Sequence, residues 1–340
     1  MEVYVLNKEL TRIDVVDKYQ SLIWTVRYYT PGDFELYLPV NKTILSKLKL
    51  GNFLHRMDND RIMMIEKIQI KTDVELGNFL IVTGRSAESI LNRRIIWSQT
   101  NLKGNAEEAI RQLITENVIS PQVPERKISN FKLGDLQGFT ETITQQITGD
   151  KLGDVITEIC KSNGWGWKIT LDEDKNFVFN LFKGVDNNVT FSAEFDNLIN
   201  SDYQYDSTNY ANVALVAGEG EGTARRTFAV GIASGIDRRE TYVDSRDVSS
   251  NEGEISDEDY NDLLSQQGIE ALNELVATES FESEIEPNLT YIYKEDYDIG
   301  DIANVENEYG ITAKSRIIEI IESKDVNGYK VIPTFEDWSV

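Results

Sequence analysis

Two strand-rich segments, one toward each end of the chain, carry the same landmarks in the same order, and this duplication limits the possible folds more than any other feature. The first reads LGNFLHRMDND and RIMMIEKIQIKTDVELGNFLIV; the second reads IGDIANVENEYG and SRIIEIIESKDVNGYKVIPTF. In each, a glycine (Gly51, Gly300) and a polar residue lead into an apolar strand and a turn. An isoleucine-rich strand follows, with Ile65-Glu66-x-Ile68 answering Ile318-Glu319-x-Ile321. Each then turns through an Asp-Val pair, Asp73-Val74 or Asp325-Val326, and a glycine, Gly77 or Gly328. The register drifts by a few residues between landmarks, a pattern that unrelated β-meanders share in part. The Asn327-Gly328 dipeptide predicts a type I′ hairpin turn.

The duplication predicts an α+β, mainly β architecture: two similar antiparallel β-barrel domains with helices and a smaller αβ module inserted between them. Residues 1–100 would form the first barrel domain with a trailing helix, 101–196 the inserted module, and 197–340 the second barrel domain, itself interrupted by a long helix near 257–277. Phe34, Leu36 and Leu38 alternate with Glu35 and Tyr37, as a half-buried strand requires. Helices are expected at 43–48, 86–96, 105–117 and 152–162, the last stopped by Asn163-Gly164. Ser256 ahead of Asp257, Glu258 and Asp259 reads as an N-cap with carboxylates on the positive end of the helix dipole.

Charge narrows the choice of partners. The 340 residues include 34 basic and 58 acidic ones, a net charge of −24, which repels a phosphodiester backbone and argues against nucleic-acid binding, sequence-specific or general. No basic leader with an apolar core opens the chain, and no apolar run approaches 20 residues, so neither a signal peptide nor stable membrane insertion is expected. One cysteine, Cys160, allows no intramolecular disulfide. The Asn-x-Thr sequons at Asn41, Asn188 and Asn288 carry little weight without a secretory signal.

Catalytic and metal chemistries find few residues to use. His55 and Cys160 are the only members of their types, too few for a usual zinc site, and Cys160 falls on the apolar stripe of an expected helix, where a buried inert thiol belongs. No GxSxG elbow marks a nucleophilic serine. Asp172, Glu173 and Asp174 lie between two strand-like runs and read as a hairpin tip rather than a glycosidase acid pair. The cluster of Glu252, Glu254, Asp257, Glu258, Asp259 and Asp262 lacks EF-hand spacing. GEGEGTARR, from Gly218 to Arg226, lacks the GK[ST] ending of a phosphate loop and reads as a mobile loop. No catalytic residue, metal site or cofactor is expected.

The segments YYTPGDFELYLPVN, LGNFLHRMDNDRIMMIEKI, GRSAESILNRRII and YDIGDIANVENEYGITAKSRIIEIIESKDVNGYKVIPTFED together resemble the tail-hub proteins of siphophages and prophages of Gram-positive bacteria. That family is related to the baseplate hub of the T-even phages and to the N-terminal hub part of tail-associated lysins. The resemblance implies a non-enzymatic structural protein of the virion tail tip, made in the host cytoplasm. It implies a homotrimer whose paired barrels form a pseudo-sixfold ring, docked under the distal tail protein, with a channel for DNA or the tape-measure protein. An acidic channel wall would not hold DNA in transit.

In such a ring the arginine pairs Arg93-Arg94, Arg225-Arg226 and Arg238-Arg239 could reach carboxylates of a neighbouring subunit, although ordinary surface solvation explains them as well. The chain ends at Trp338-Ser339-Val340, directly after the last expected strand, which leaves no room for a lytic domain. The rival reading is a carboxylate-dependent glycoside hydrolase or a saccharide-binding module acting on the bacterial surface, in which Trp165 and Trp167 could stack on sugar rings, although alternating aromatics entering a strand more often belong to a core or an interface.

Overall fold

The computed structural model describes residues 1–73, 77–195, 197–250, 256–285, 290–336 and 338–339. The chain divides into two compact units, Met1–Ser201 with Glu282–Glu336, and Asp202–Phe281 with the C-terminal residues.

The first unit opens on β1 (Val3–Leu6), β2 (Arg12–Val16), β3 (Ser21–Arg27) and β4 (Asp33–Pro39). Helix α1 (Lys42–Lys47) precedes β5 (Phe53–His55), β6 (Ile62–Asp73) and β7 (Gly77–Ser86). A middle stretch supplies β8 (Thr100–Asn105), α2 (Ala106–Ile114), β9 (Phe131–Leu133), β10 (Thr142–Ile147), α3 (Leu152–Asn163), β11 (Gly166–Leu171), β12 (Phe177–Phe182) and β13 (Asp186–Ser192). Strand β14 (Leu198–Asp206) leads into the second unit, which holds β15 (Val213–Ala217), β16 (Thr227–Val230), β17 (Glu240–Asp244) and α4 (Asp257–Glu274). Strand β18 (Thr278–Ile285) leads out, and β19 (Ile302–Glu306), β20 (Thr312–Asp325) and β21 (Gly328–Phe335) complete the first unit.

The protein is mainly β, but the two expected barrels are not there: no sheet of the described residues closes on itself. The strands of both ends run instead through one open antiparallel sheet in the order β21-β20-β3-β4-β7-β6-β5-β1-β2. The reason is a long-range pairing. The edge of β3 that a separate first barrel would have kept for itself is taken by β20, from Arg27 opposite Glu319 to Leu22 opposite Lys324. Alternation does the rest: Leu22, Trp24 and Val26 of β3 and Phe34, Leu36 and Leu38 of β4 all point into one core.

The middle stretch packs α2 and α3 beside the small sheet β11-β12-β9, while β8 pairs with β10. Helix α3 buries Val155, Ile156, Ile159 and Cys160 and ends on Gly164 at φ +67°, the left-handed cap that glycine permits. Two expected helices take other forms. Residues 87–93 make a 3₁₀ turn, and α2 stops at Ile114 and runs on as a π-helical turn over Thr115–Ile119. In the second unit α4 lies on the sheet β16-β15-β17, with Tyr260 and Leu264 packed against Ala214 and Val216. Its Ser256 cap accepts from the Asp259 N–H as the sequence predicted.

Candidate functional site

The duplicated segments of the first unit share a backbone corner. Gly51 N–H donates to Ile65 O at 2.9 Å and Ile65 N–H to Asn52 O at 2.8 Å; Gly300 N–H donates to Ile317 O at 2.8 Å and Ile317 N–H to Asp301 O at 2.8 Å. Both glycines have positive φ, +81° and +95°, and Asn52 and Asp301 are both buried. Each corner is followed by a β-bulge, between Ile65 and Lys67 on β6 and between Ile317 and Glu319 on β20. The geometric counterpart of Ile65 is therefore Ile317, one residue before the sequence match.

Beyond the bulges the copies diverge. Glu66 binds Arg85 and Arg93, whereas Glu319 binds Arg27. Gly77 and Gly328 begin the return strands at φ +92° and +132°. The type I′ turn expected at Asn327-Gly328 does not form. Asp325 pairs directly with Gly328 around Val326-Asn327, neither of which has the positive φ such a turn needs, and the Asp325 carboxylate accepts the Asn327 N–H instead. Val74 lies outside the described residues.

The two segments also meet in a buried charge network. Arg56, with none of its side chain exposed, donates to Glu322 at 2.8 Å and to Asp58 at 2.7 Å, and its guanidinium lies 5.3 Å from the Trp24 ring. Asn59 Nδ2 and the Tyr329 hydroxyl also donate to Glu322. Burial opposes the Arg56 charge, yet Asp58 and Glu322 outweigh it and hold the guanidinium pKa above its ordinary value. A second buried pair, Arg61 with Glu88 at 3.3 Å, joins the residue just before β6 to the 3₁₀ turn, and Glu88 also accepts the Ile169 N–H of β11.

A cleft of about 590 Å³ opens beside this network, lined by His55, Asp58, Asp60, Lys168, Lys294 and Asp298 among others. Its carboxylates are mostly engaged: Asp60 with Lys168, Asp58 with Arg56, and Asp301 with the Val185 and Asp298 N–H groups. Burial opposes ionisation of Asp60, but Arg61 and Lys168 prevail and hold its carboxyl below the ordinary range. Asp298 differs. Burial, with the Asp60 charge added, lifts its carboxyl above the ordinary value, although the side chain still reaches solvent that screens the effect. Burial likewise lowers the pKa of His55.

The remaining sequence candidates have ordinary surroundings. Arg94 donates to the Arg126 carbonyl; Arg225 binds Asp244; Arg226 binds Asp257 and lies 3.9 Å over the Tyr260 ring; Arg238 binds Glu240; Arg239 donates to the Ser207 carbonyl. The loop read as mobile is tied down, because Arg225 donates to the carbonyls of Ala217 and Gly218 and the Glu219 carboxylate accepts the Ser250 N–H. Asp172 pairs with Lys132, which holds its carboxyl at about 2. Trp165 and Trp167 are buried at 0% and 1% exposure, Trp165 stacked on Phe139 and Trp167 donating to Tyr29 O, so neither can meet a sugar. Glu252, Glu254 and Asn288 lie outside the described residues, and among the described residues no three metal-ligating side chains gather. No helix of the described residues is long and apolar enough to cross a membrane.

Solved structures share this fold across their length. A tail protein from Neisseria meningitidis MC58 superposes with a TM-score of 0.59 at 14% identity, covering 98% of this chain and 96% of the other. The 43 kDa tail protein of prophage MuSo2 from Shewanella oneidensis gives 0.60 at 13% identity, over 99% and 98%. Prophage tail protein gp18 from Listeria monocytogenes EGD-e gives 0.53 at 11% identity, over 98% and 94%. No curated protein matches the chain. The sequence itself matches a family of phage tail proteins over residues 2–335, and the chain belongs to that family, the Siphovirus ReqiPepy6 Gp37-like proteins.

Proposed function

We propose that this tail protein is a non-enzymatic hub of the tail tip or baseplate, made in the host cytoplasm, that assembles as a homotrimer. Docked beneath the distal tail protein, the ring adapts the sixfold tube to a threefold tip and leaves a channel for DNA or the tape-measure protein. The observation that carries this reading is the corner at Gly51 and Ile65 repeated at Gly300 and Ile317. Three chains with two such units each present six related elements to the tube. Edge pairing supports it: β3 covers the free side of β20, whereas β6 from Lys67 to Thr72 pairs with β7 alone among the described residues. An uncovered edge is a template for another strand, here one from a neighbouring subunit. The net charge of −24 suits a channel that must not retain DNA.

Light scattering of the purified chain across concentration and salt tests the proposal. A mass near three times 38.7 kDa is expected, and a monomer under every condition overturns the self-assembling ring. A basic lumen in electron micrographs of the ring would overturn the channel argument. A second reading, a carboxylate-dependent hydrolase of cell-surface glycans, draws on Asp298 and Asp60, whose carboxyls are pushed in opposite directions. Against it stands the engagement of Asp60 by Lys168. Release of soluble sugars from purified walls would favour that reading.

A further inference from the structure

Away from the charged cleft, the middle stretch of the first unit holds a second cavity of about 350 Å³ with a different chemistry. Its wall is built from amides and hydroxyls around one aromatic ring. Trp97, just before β8, keeps 57% of its surface in solvent. The Arg126 guanidinium rests 4.7 Å from the ring centroid and is itself fixed by bonds to Ile95 O at 2.6 Å and Asn117 Oδ1 at 3.0 Å. The indole is therefore held in place with more than half of its surface open to solvent at the mouth of the cavity.

The π-helical turn Thr115–Ile119 contributes to the same lining. It closes with Ser120 N–H donating to Thr115 O at 2.8 Å, and by widening the helix it carries Glu116 and Asn117 to the cavity. Such single wide turns are rare and recur at functional sites. Gln112 donates to Glu116 at 2.8 Å, while the side chains of Gln99 and Gln122 have no hydrogen-bond partner among the described residues.

We propose that this cavity is a binding site for a neutral saccharide. A pyranose has one apolar C–H face, suited to a fixed indole, and a rim of hydroxyls that both donate and accept, suited to carboxamides with the same dual character. The pre-set ring spares the entropy of ordering a large side chain on binding. A phosphorylated ligand fits poorly, because Arg126 is the only cation in the lining, shares it with the Glu116 carboxylate, and belongs to a chain of net charge −24. Glu116 is also the only carboxylate in the lining, so the pair of acids that cleaves a glycosidic bond is missing there. The site binds sugar without turnover, and does so whether or not the chain forms a trimer.

Titration calorimetry of the full chain with tetramers of N-acetylglucosamine, β-1,4-glucose and α-1,4-glucose tests the site. At least one tetramer should bind and remain uncleaved, and Trp97→Ala should weaken it about tenfold or more while leaving the melting temperature in place. Phe195→Ala, an exposed aromatic elsewhere, should change nothing. If Trp97→Ala unfolds the protein, the paired exposed substitutions Gln99→Ala and Gln122→Ala supply the same reading. No binding of any tetramer at millimolar concentration, binding indifferent to these substitutions, or cleavage of the bound sugar overturns the proposal.

Discussion

Arg56 and Glu322 form an ion pair at 2.8 Å that is closed to solvent on both sides, with 0% and 3% of the side chains exposed, and it joins residues 266 apart in sequence. Removing one partner strands the other charge in the core. Glu322→Gln or Arg56→Met should each cost about 3–5 kcal/mol in urea unfolding, whereas the double change to apolar residues of similar volume should cost clearly less than the sum. An additive double mutant would show that the two charges do not stabilise one another.

Gly51 and Gly300 mark equivalent corners but sit in different company. A Cβ on Gly51 would meet only the flexible end of Lys8, while one on Gly300 would fall 2.3 Å from the Tyr28 ring. Gly51→Ala should therefore cost about 1–2 kcal/mol, from the left-handed backbone alone. Gly300→Ala should add the clash, for a total of about 2–4 kcal/mol. Equal losses in denaturant titrations would contradict this packing.

The only histidine of the chain gives a titration readable from a single imidazole resonance. Burial lowers the pKa of His55 against the opposing pull of Asp58 and Asp60, so the resonance should titrate below its ordinary value. The sign follows from proton uptake: the unfolded chain binds the proton more readily than the folded one. The contribution of His55 is thus intact above about pH 6.5 and is lost as pH falls from there toward the folded pKa. His55→Asn should flatten the stability profile in that window.

Ile70 stands in the part of β6 that pairs with β7 alone among the described residues, with 52% of its surface exposed. In a trimer that pairs through this stretch, Ile70→Lys should lower the mass seen by light scattering from three chains to one. As a surface change it should alter the stability of a single chain by only about 0.5 kcal/mol. A trimer that survives the substitution would place the contact elsewhere.

Local periodicity made much of this fold legible. The alternation of Phe34, Leu36 and Leu38, the Gly164 stop of α3, the Ser256 cap of α4 and the buried thiol of Cys160 all follow from neighbours a few residues away. What periodicity could not carry was pairing at a distance. Nothing in SLIWTVR says that its partner lies near residue 320, so the sequence pattern points to two barrels where one sheet runs. The match of Ile65 to Ile318 missed the geometric one by a residue because a bulge adds a residue without a sequence mark. The alternating aromatics of NGWGW read as core residues entering a strand, and both tryptophans are buried; nothing in the sequence marks Trp97, whose exposure is decided by packing.

The pairing of β3 with β20 also sets a schedule for the newborn protein. Arg27 cannot meet Glu319 until 292 further residues have been made, roughly 15–60 s of work at ordinary ribosome speeds. Through that interval β3, with Leu22, Trp24 and Val26, waits with one edge open to any stray strand. The first hundred residues emerge as a half-finished sheet that only the far end of the chain completes.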